Sequence, residues 1–114
     1  MPRSFPLNVS VTVTLSGAGA GTASIGPQFP REVWDVAVAS VSVATNTNEA
    51  QCKVSQGATA GQTFVDGTTW GSTGDSTSNF SSPVYLGSQV FAVWTGGDAG
   101  AVATLTVTGT RRIP

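Results

Sequence analysis

Between Leu7 and Leu15 the chain reads LNVSVTVTL, with Val or Leu at every odd position and Asn, Ser or Thr at every even one. A period of two places all the apolar side chains on one face of an extended strand and on no single face of a helix. The β-branched side chains reinforce that choice, because they pack well on a pleated surface and lose rotamer freedom in a helix. A chain that starts this way has to bury one face of a sheet against a second layer.

The rest of the sequence repeats the theme in shorter pieces. Thr22 to Ile25 returns as a strand after the GAGAG break at Gly17 to Gly21. From Arg31 to about Thr45 the apolar positions are Trp34, Val36 and Val38, then Val41 and Val43, so the parity changes and predicts a bulge near Ala39 and Ser40. Ala50, Cys52 and Val54 alternate, a short run follows at Thr63 to Val65, and strands return at Val84 to Leu86, Val90 to Thr95 and Ala101 to Thr108. Asp66 to Pro83 reads as a long connection rich in Gly, Ser and Thr, either functional or anchored by Trp70 and Phe80. About eight short strands with frequent turn signals and no helical period predict an all-β fold, an antiparallel β-sandwich that is jelly-roll-like. With 114 residues the expectation is a single domain spanning 1–114, with short arms at 1–6 and 110–114.

Only 10% of the residues are charged and the net charge is −1. A soluble surface usually carries about 25–35% charged residues. The outer faces must therefore be built from Thr, Ser, Asn, Gln and Gly, a composition suited to cover by neighbouring proteins. The one basic pair, Arg111-Arg112, supplies no broad positive field, so a nucleic-acid partner is not expected. No segment reaches the ~20 consecutive apolar residues of a membrane helix, and the opening MPRSFPLNVS lacks the apolar run of a signal peptide. Neither a membrane partner nor export by the usual signal is expected.

Catalytic and metal chemistries have few residues to draw on. The chain has no histidine, which removes Ser-His-Asp and Cys-His machineries, and its single cysteine, Cys52, reads as a small buried apolar residue. The knot Gly96-Gly97-Asp98-Ala99-Gly100 leads from one strand into another and not into a helix, so it reads as a hairpin turn and not as a phosphate loop. Asp66, Asp75 and Asp98 sit among loop hydroxyls without the acidic spacing of a calcium motif, and no two carboxylates are spaced as a glycosidase pair. The expectation is a protein that is not an enzyme, with no cofactor and no metal. Trp34 and Trp94 lie in strands and read as core. Trp70, Phe80 and Tyr85 fall in or beside the long connection, where an exposed ring can stack on a sugar, and Trp70 is the one expected to be exposed.

The stretches GAGTASIGPQFPREVWDVAVASVSV, QCKVSQG, FVDGTTWGSTGDSTSN and VFAVWTGGDAGAVATLTVTG together resemble a family of small structural proteins of tailed bacteriophages infecting actinobacteria. The pattern is a Gly-Pro-x-x-x-Arg-x-x-Trp entry, a short central strand, a Val/Ile-Asp-Gly-Thr loop and a closing Trp-Thr-Gly-Gly hairpin. Pro27, Arg31, Trp34, Asp66, Gly67, Thr68, Asp75, Trp94, Gly96 and Gly97 match it, as turn and core residues. KVSQG departs from the aromatic-bearing strand of that pattern. The resemblance covers about Gly19 to Gly109 and implies a non-enzymatic virion structural protein made in the host cytoplasm. Its role would be capsid decoration, with other virion proteins as partners and a homo-oligomer, such as a trimer, as the working form. The alternative is a minor tail or fibre-associated module binding host-surface glycan through Trp70, Phe80 and Tyr85. For docking, the expected contacts are the two arms, through Arg3, Arg111 and Arg112.

Overall fold

A computed structural model describes residues 3–45, 47–70, 74–80 and 83–113, with the side chains of 68–70 excepted. All regular structure among them is strand: β1 (Arg3–Thr14), β2 (Gly21–Ile25), β3 (Val33–Val43), β4 (Ala50–Gly57), β5 (Thr63–Trp70), β6 (Asp75–Thr77), β7 (Val84–Tyr85), β8 (Gln89–Thr95) and β9 (Val102–Ile113). One sheet runs β1-β9-β3-β6, with β7 also paired to β3, and the other runs β2-β8-β4-β5. Every pairing is antiparallel. The chain is an antiparallel β-sandwich.

The order of the pairs defines a jelly roll. β1 pairs with β9, β2 with β8, β3 with β6 and β7, and β4 with β5. These are the rungs of one long hairpin folded at β4–β5. Rolling that hairpin joins β9 to β3 and β8 to β4, which closes two sheets over a common core. Because β6 and β7 share the edge of β3, nine strands occupy eight positions.

The alternation read from the sequence becomes the core. Val43, Ala103, Leu105 and Val107 of the first sheet face Cys52, Val54, Val90, Ala92 and Trp94 of the second, each 2% exposed or less. Burying each Val or Leu contributes about 1.5–3 kcal/mol relative to leaving it in water. Trp34 and Trp94 are both core, as the strand assignment expected.

Four features differ from the sequence reading. The bulge in β3 lies between Val36 and Val38, two to three residues before Ala39 and Ser40, because the glycine opposite it is Gly109. Gly109 has φ +154°, and a Cβ there would lie 2.2 Å from the Asp35 carbonyl oxygen. Only glycine lets the bulged backbone close at that point. The connection Asp66 to Pro83 contains two stretches of strand, since β5 continues to Trp70 and β6 follows at Asp75. The Gly96-Gly100 turn crosses from one sheet to the other and is not a hairpin, because β8 and β9 are not neighbours. The described parts of the two arms are strand ends paired to each other, from Arg3↔Ile113 to Pro6↔Thr110; Met1, Pro2 and Pro114 lie outside the described residues.

The two ends of the sandwich are built differently. At the end holding Thr14, Val43 and Thr95, the glycine-rich loops lock together. Gly97 N–H donates to Gly19 O at 3.0 Å, Gly100 N–H donates to Leu15 O at 3.0 Å, and the Asp98 carboxylate accepts from Thr47 and Asn48 N–H at 2.8 Å each. A Cβ on Gly19 would sit 1.9 Å from Gly97 O, so this approach requires glycine. At the other end β1 and β9, each 12 residues or about 40 Å long, outrun the second sheet. Its longest strands have 8 residues.

Candidate functional site

Where the β1–β9 ribbon outruns the second sheet, its inner face loses cover. Leu7 is still buried, but Phe5 and Ile113, on the same face, are exposed. The loop from Gly26 to Glu32 folds back under this overhang. Arg31 takes φ +67°, the one non-glycine among the described residues in the left-handed region, and Glu32 N–H donates to Phe29 O at 3.2 Å. A non-glycine residue held there costs of order 1–3 kcal/mol, and such outliers cluster where a neighbouring side chain must be placed. Here the tight turn swings the Glu32 side chain inward, leaving it only 3% exposed, and the Phe29 ring outward, 62% exposed.

The result is a cleft of about 220 Å³ walled by Val9, Ile25, Gln28, Phe29, Glu32, Trp34 and Arg111. Glu32 Oε1 accepts from Gln28 N–H at 3.0 Å, and Oε2 lies 3.4 Å from Arg111 Nη1. Arg111 is also stacked on Phe5, 5.6 Å from the ring centroid. A buried carboxylate needs such a partner, because taking it out of water unpaired is costly. Two N–H groups in the walls, Trp34 Nε1 and Arg111 Nε, are buried without an acceptor among the described residues. Both are closed off from solvent, as is Trp94 Nε1 in the core. The cleft therefore offers the exposed Phe29 and Phe5 rings beside Arg111, while its one carboxylate is already engaged; that combination suits docking of an apolar side chain.

Of the residues singled out from the sequence, the fold gathers Arg3, Arg111, Arg112 and Tyr85 at this same end. Arg112 points to the outer face of the sheet, where its Nε and Nη2 donate to the two carboxylate oxygens of Asp35, the second at 3.1 Å. This bidentate contact, and then the Asp35 charge, push its pKa above the ordinary guanidinium value. Tyr85 pairs with Val33 on that strand edge and is exposed. Phe80 packs against the core and acts as an anchor. The backbone of Trp70 pairs with Ala50 at the opposite, glycine-locked end, and its side chain lies outside the described residues. The backbones of Trp70 and Tyr85 thus lie at opposite ends of the sandwich. Sequence reasoning missed Phe29, Glu32 and Phe5; the run Gly-Pro-x-x-Pro-Arg-Glu was a turn signal, but nothing local said that its glutamate would be buried.

The three aspartates read as loop residues all accept hydrogen bonds from main-chain N–H groups. Asp66 lies in β5 and accepts from Gly67 N–H and Asn79 Nδ2, Asp75 lies in β6 and accepts from Ser76 N–H, and Asp98 holds the loop between β3 and β4. Among the described residues no group of three or more His, Cys, Asp and Glu side chains converges as a metal site. On the outer face of the first sheet, Ser40, Ser42, Asp75, Ser76, Thr104 and Thr106 line a second, hydroxyl-rich trough of about 460 Å³. No family model, no curated protein and no solved structure matches this chain.

Proposed function

We propose that this chain is a non-enzymatic virion structural protein of a tailed bacteriophage, a decoration-type domain that binds and stabilises the capsid surface. The observation that carries the reading is the open-end cleft, with the exposed Phe29 and Phe5 rings around an engaged Glu32–Arg111 pair. Exposed aromatic rings beside an arginine are residue types enriched in protein-docking surfaces. The jelly roll and the low charge accord with a particle protein whose surface is covered by neighbours. Its mechanism is mass action: a domain that binds only the assembled shell stabilises it by the free energy of binding. The test is sedimentation of the purified protein with capsid shells lacking it. Phe29→Ala, a surface change that leaves the core intact, weakens shell binding about tenfold or more. Unchanged affinity would remove the cleft from the account.

A second reading is a tail-associated module binding host-surface glycan. The hydroxyl-lined trough favours it, since β6, from the connection in which the alternative reading placed glycan contact, forms one wall. This reading expects retention on host cell-wall preparations and its loss in Trp70→Ala. The decoration reading expects no retention in either protein.

A further inference from the structure

We infer that two copies of this chain pair through β1, antiparallel across a two-fold axis beside Val11, and so join their β1-β9-β3 sheets into one. The inference rests on the fold alone and is independent of the virion reading. Among the described residues β1 is an edge strand, hydrogen-bonded to β9 alone. Leu15 directs both its main-chain groups to the β9 side, accepting from Gly100 N–H and donating to Ala101 O, and the register from Thr14 back to Arg3 is unbroken. In an antiparallel strand the direction of these groups alternates, so Asn8, Ser10, Thr12 and Thr14 turn their N–H and C=O to the open side. Pro6 shares that parity, and its missing donor falls on the open edge, where a proline is tolerated.

Proteins blunt exposed edges with charge, proline, bulges or cover. Among the described residues β1 has such devices only at its start, Arg3 and Pro6, and no charged residue occurs from Ser4 through Pro30. That stretch holds β1 from its second residue onward and all of β2, edge strands of the two sheets that pack beside each other. The far edges carry Asp66 on β5 and Asp75 on β6. Under a two-fold axis a residue on the axis meets its own copy, and a charge there would repel itself; a charge-free edge permits that meeting and gives a dissimilar partner nothing to recognise by charge. The side chains agree. Val9, Val11 and Val13 face the core but are only partly buried, as is Ile25 on β2.

Pairing about Val11 sets Asn8 opposite the second copy's Thr14 and Ser10 opposite its Thr12, with the two reciprocal pairs. Four pairs at two hydrogen bonds each give about eight bonds, close to the ~10 of a typical interface. Val11 then lies against Val11 of the second copy, and Val9 against its Val13, at the close non-hydrogen-bonded positions where side chains pack best.

The test is solution mass by analytical ultracentrifugation over a concentration series, with near-ultraviolet circular dichroism to confirm each fold. The chain is 11.5 kDa; the expected result is a reversible dimer of twice that mass. Ser10→Lys with Thr12→Lys puts like charges opposite each other across the axis and yields a folded monomer. Ser10→Lys with Thr12→Asp puts opposite charges there and restores the dimer. A wild-type protein that stays monomeric throughout, an oligomer unaffected by the double lysine change, or a failure of the Lys/Asp variant to recover the dimer while folded would each overturn the inference.

Discussion

A carboxylate that accepts two main-chain N–H groups is stabilised in its charged form, and Asp98 is held below the usual carboxylate range by its bonds to Asn48 and Thr47. Because its folded pKa is depressed, the stabilisation is present above the unfolded value of about 3.9 and is lost as pH falls through the folded one. Asp98→Ala is expected to lower Tm at neutral pH and to flatten the loss of stability below about pH 4, measured by thermal denaturation across that range. Cys52 shows the opposite sign. Burial, offset in part by a hydrogen bond from the Val93 backbone, pushes its thiol up to about 12. Stability from keeping it neutral is full below the unfolded value of about 8.5 and drains away as pH rises toward 12. Native protein is therefore expected to resist thiol reagents at pH 8 and to react only on unfolding, and Cys52→Ala is expected to remove the alkaline loss of stability. The burial of Cys52 was legible from its place in the Ala50-Cys52-Val54 alternation. The partners of Asp98 were not, because Thr47 and Asn48 lie some fifty positions away and meet it only when the loops dock.

At the level of the strand, alternation within a segment was readable and pairing between segments was not. The parity change in β3 announced a bulge, but Val38 faces outward and Ala39 inward, so ranking residues by hydrophobicity misplaced it. Its position is set by Gly109 on the opposing strand. Gly109→Ala is expected to cost about 2–4 kcal/mol by urea denaturation, combining an unfavourable φ with a clash against the Asp35 carbonyl. A cost near zero would mean that the bulge relocates. The same blindness to pairing hid the second half of β5 and all of β6 inside a Gly, Ser and Thr-rich stretch, since their main-chain partners on β4 and β3 compensate for weak intrinsic strand preference.

The whole molecule is one hairpin rolled into two sheets, and that topology decides what sits at each end. It turns the supposed arms into the closing β1–β9 ribbon and builds the cleft beneath it from residues far apart in the chain, such as Val9, Glu32 and Arg111. Deleting residues 110–114 therefore removes paired strand from both β1 and β3, together with the partners of Glu32 and Asp35. The expected outcome is a fall in Tm of the isolated protein; loss of shell binding at unchanged Tm would mean a free arm after all. The sandwich class was legible because a period of two admits little else, whereas the cleft was not, because no segment contains it. The central claim, a protein of the capsid surface, is tested most directly by its copy number in purified virions, measured by quantitative mass spectrometry against the major capsid protein. The account predicts hundreds of copies per particle; a handful, or none, would contradict it.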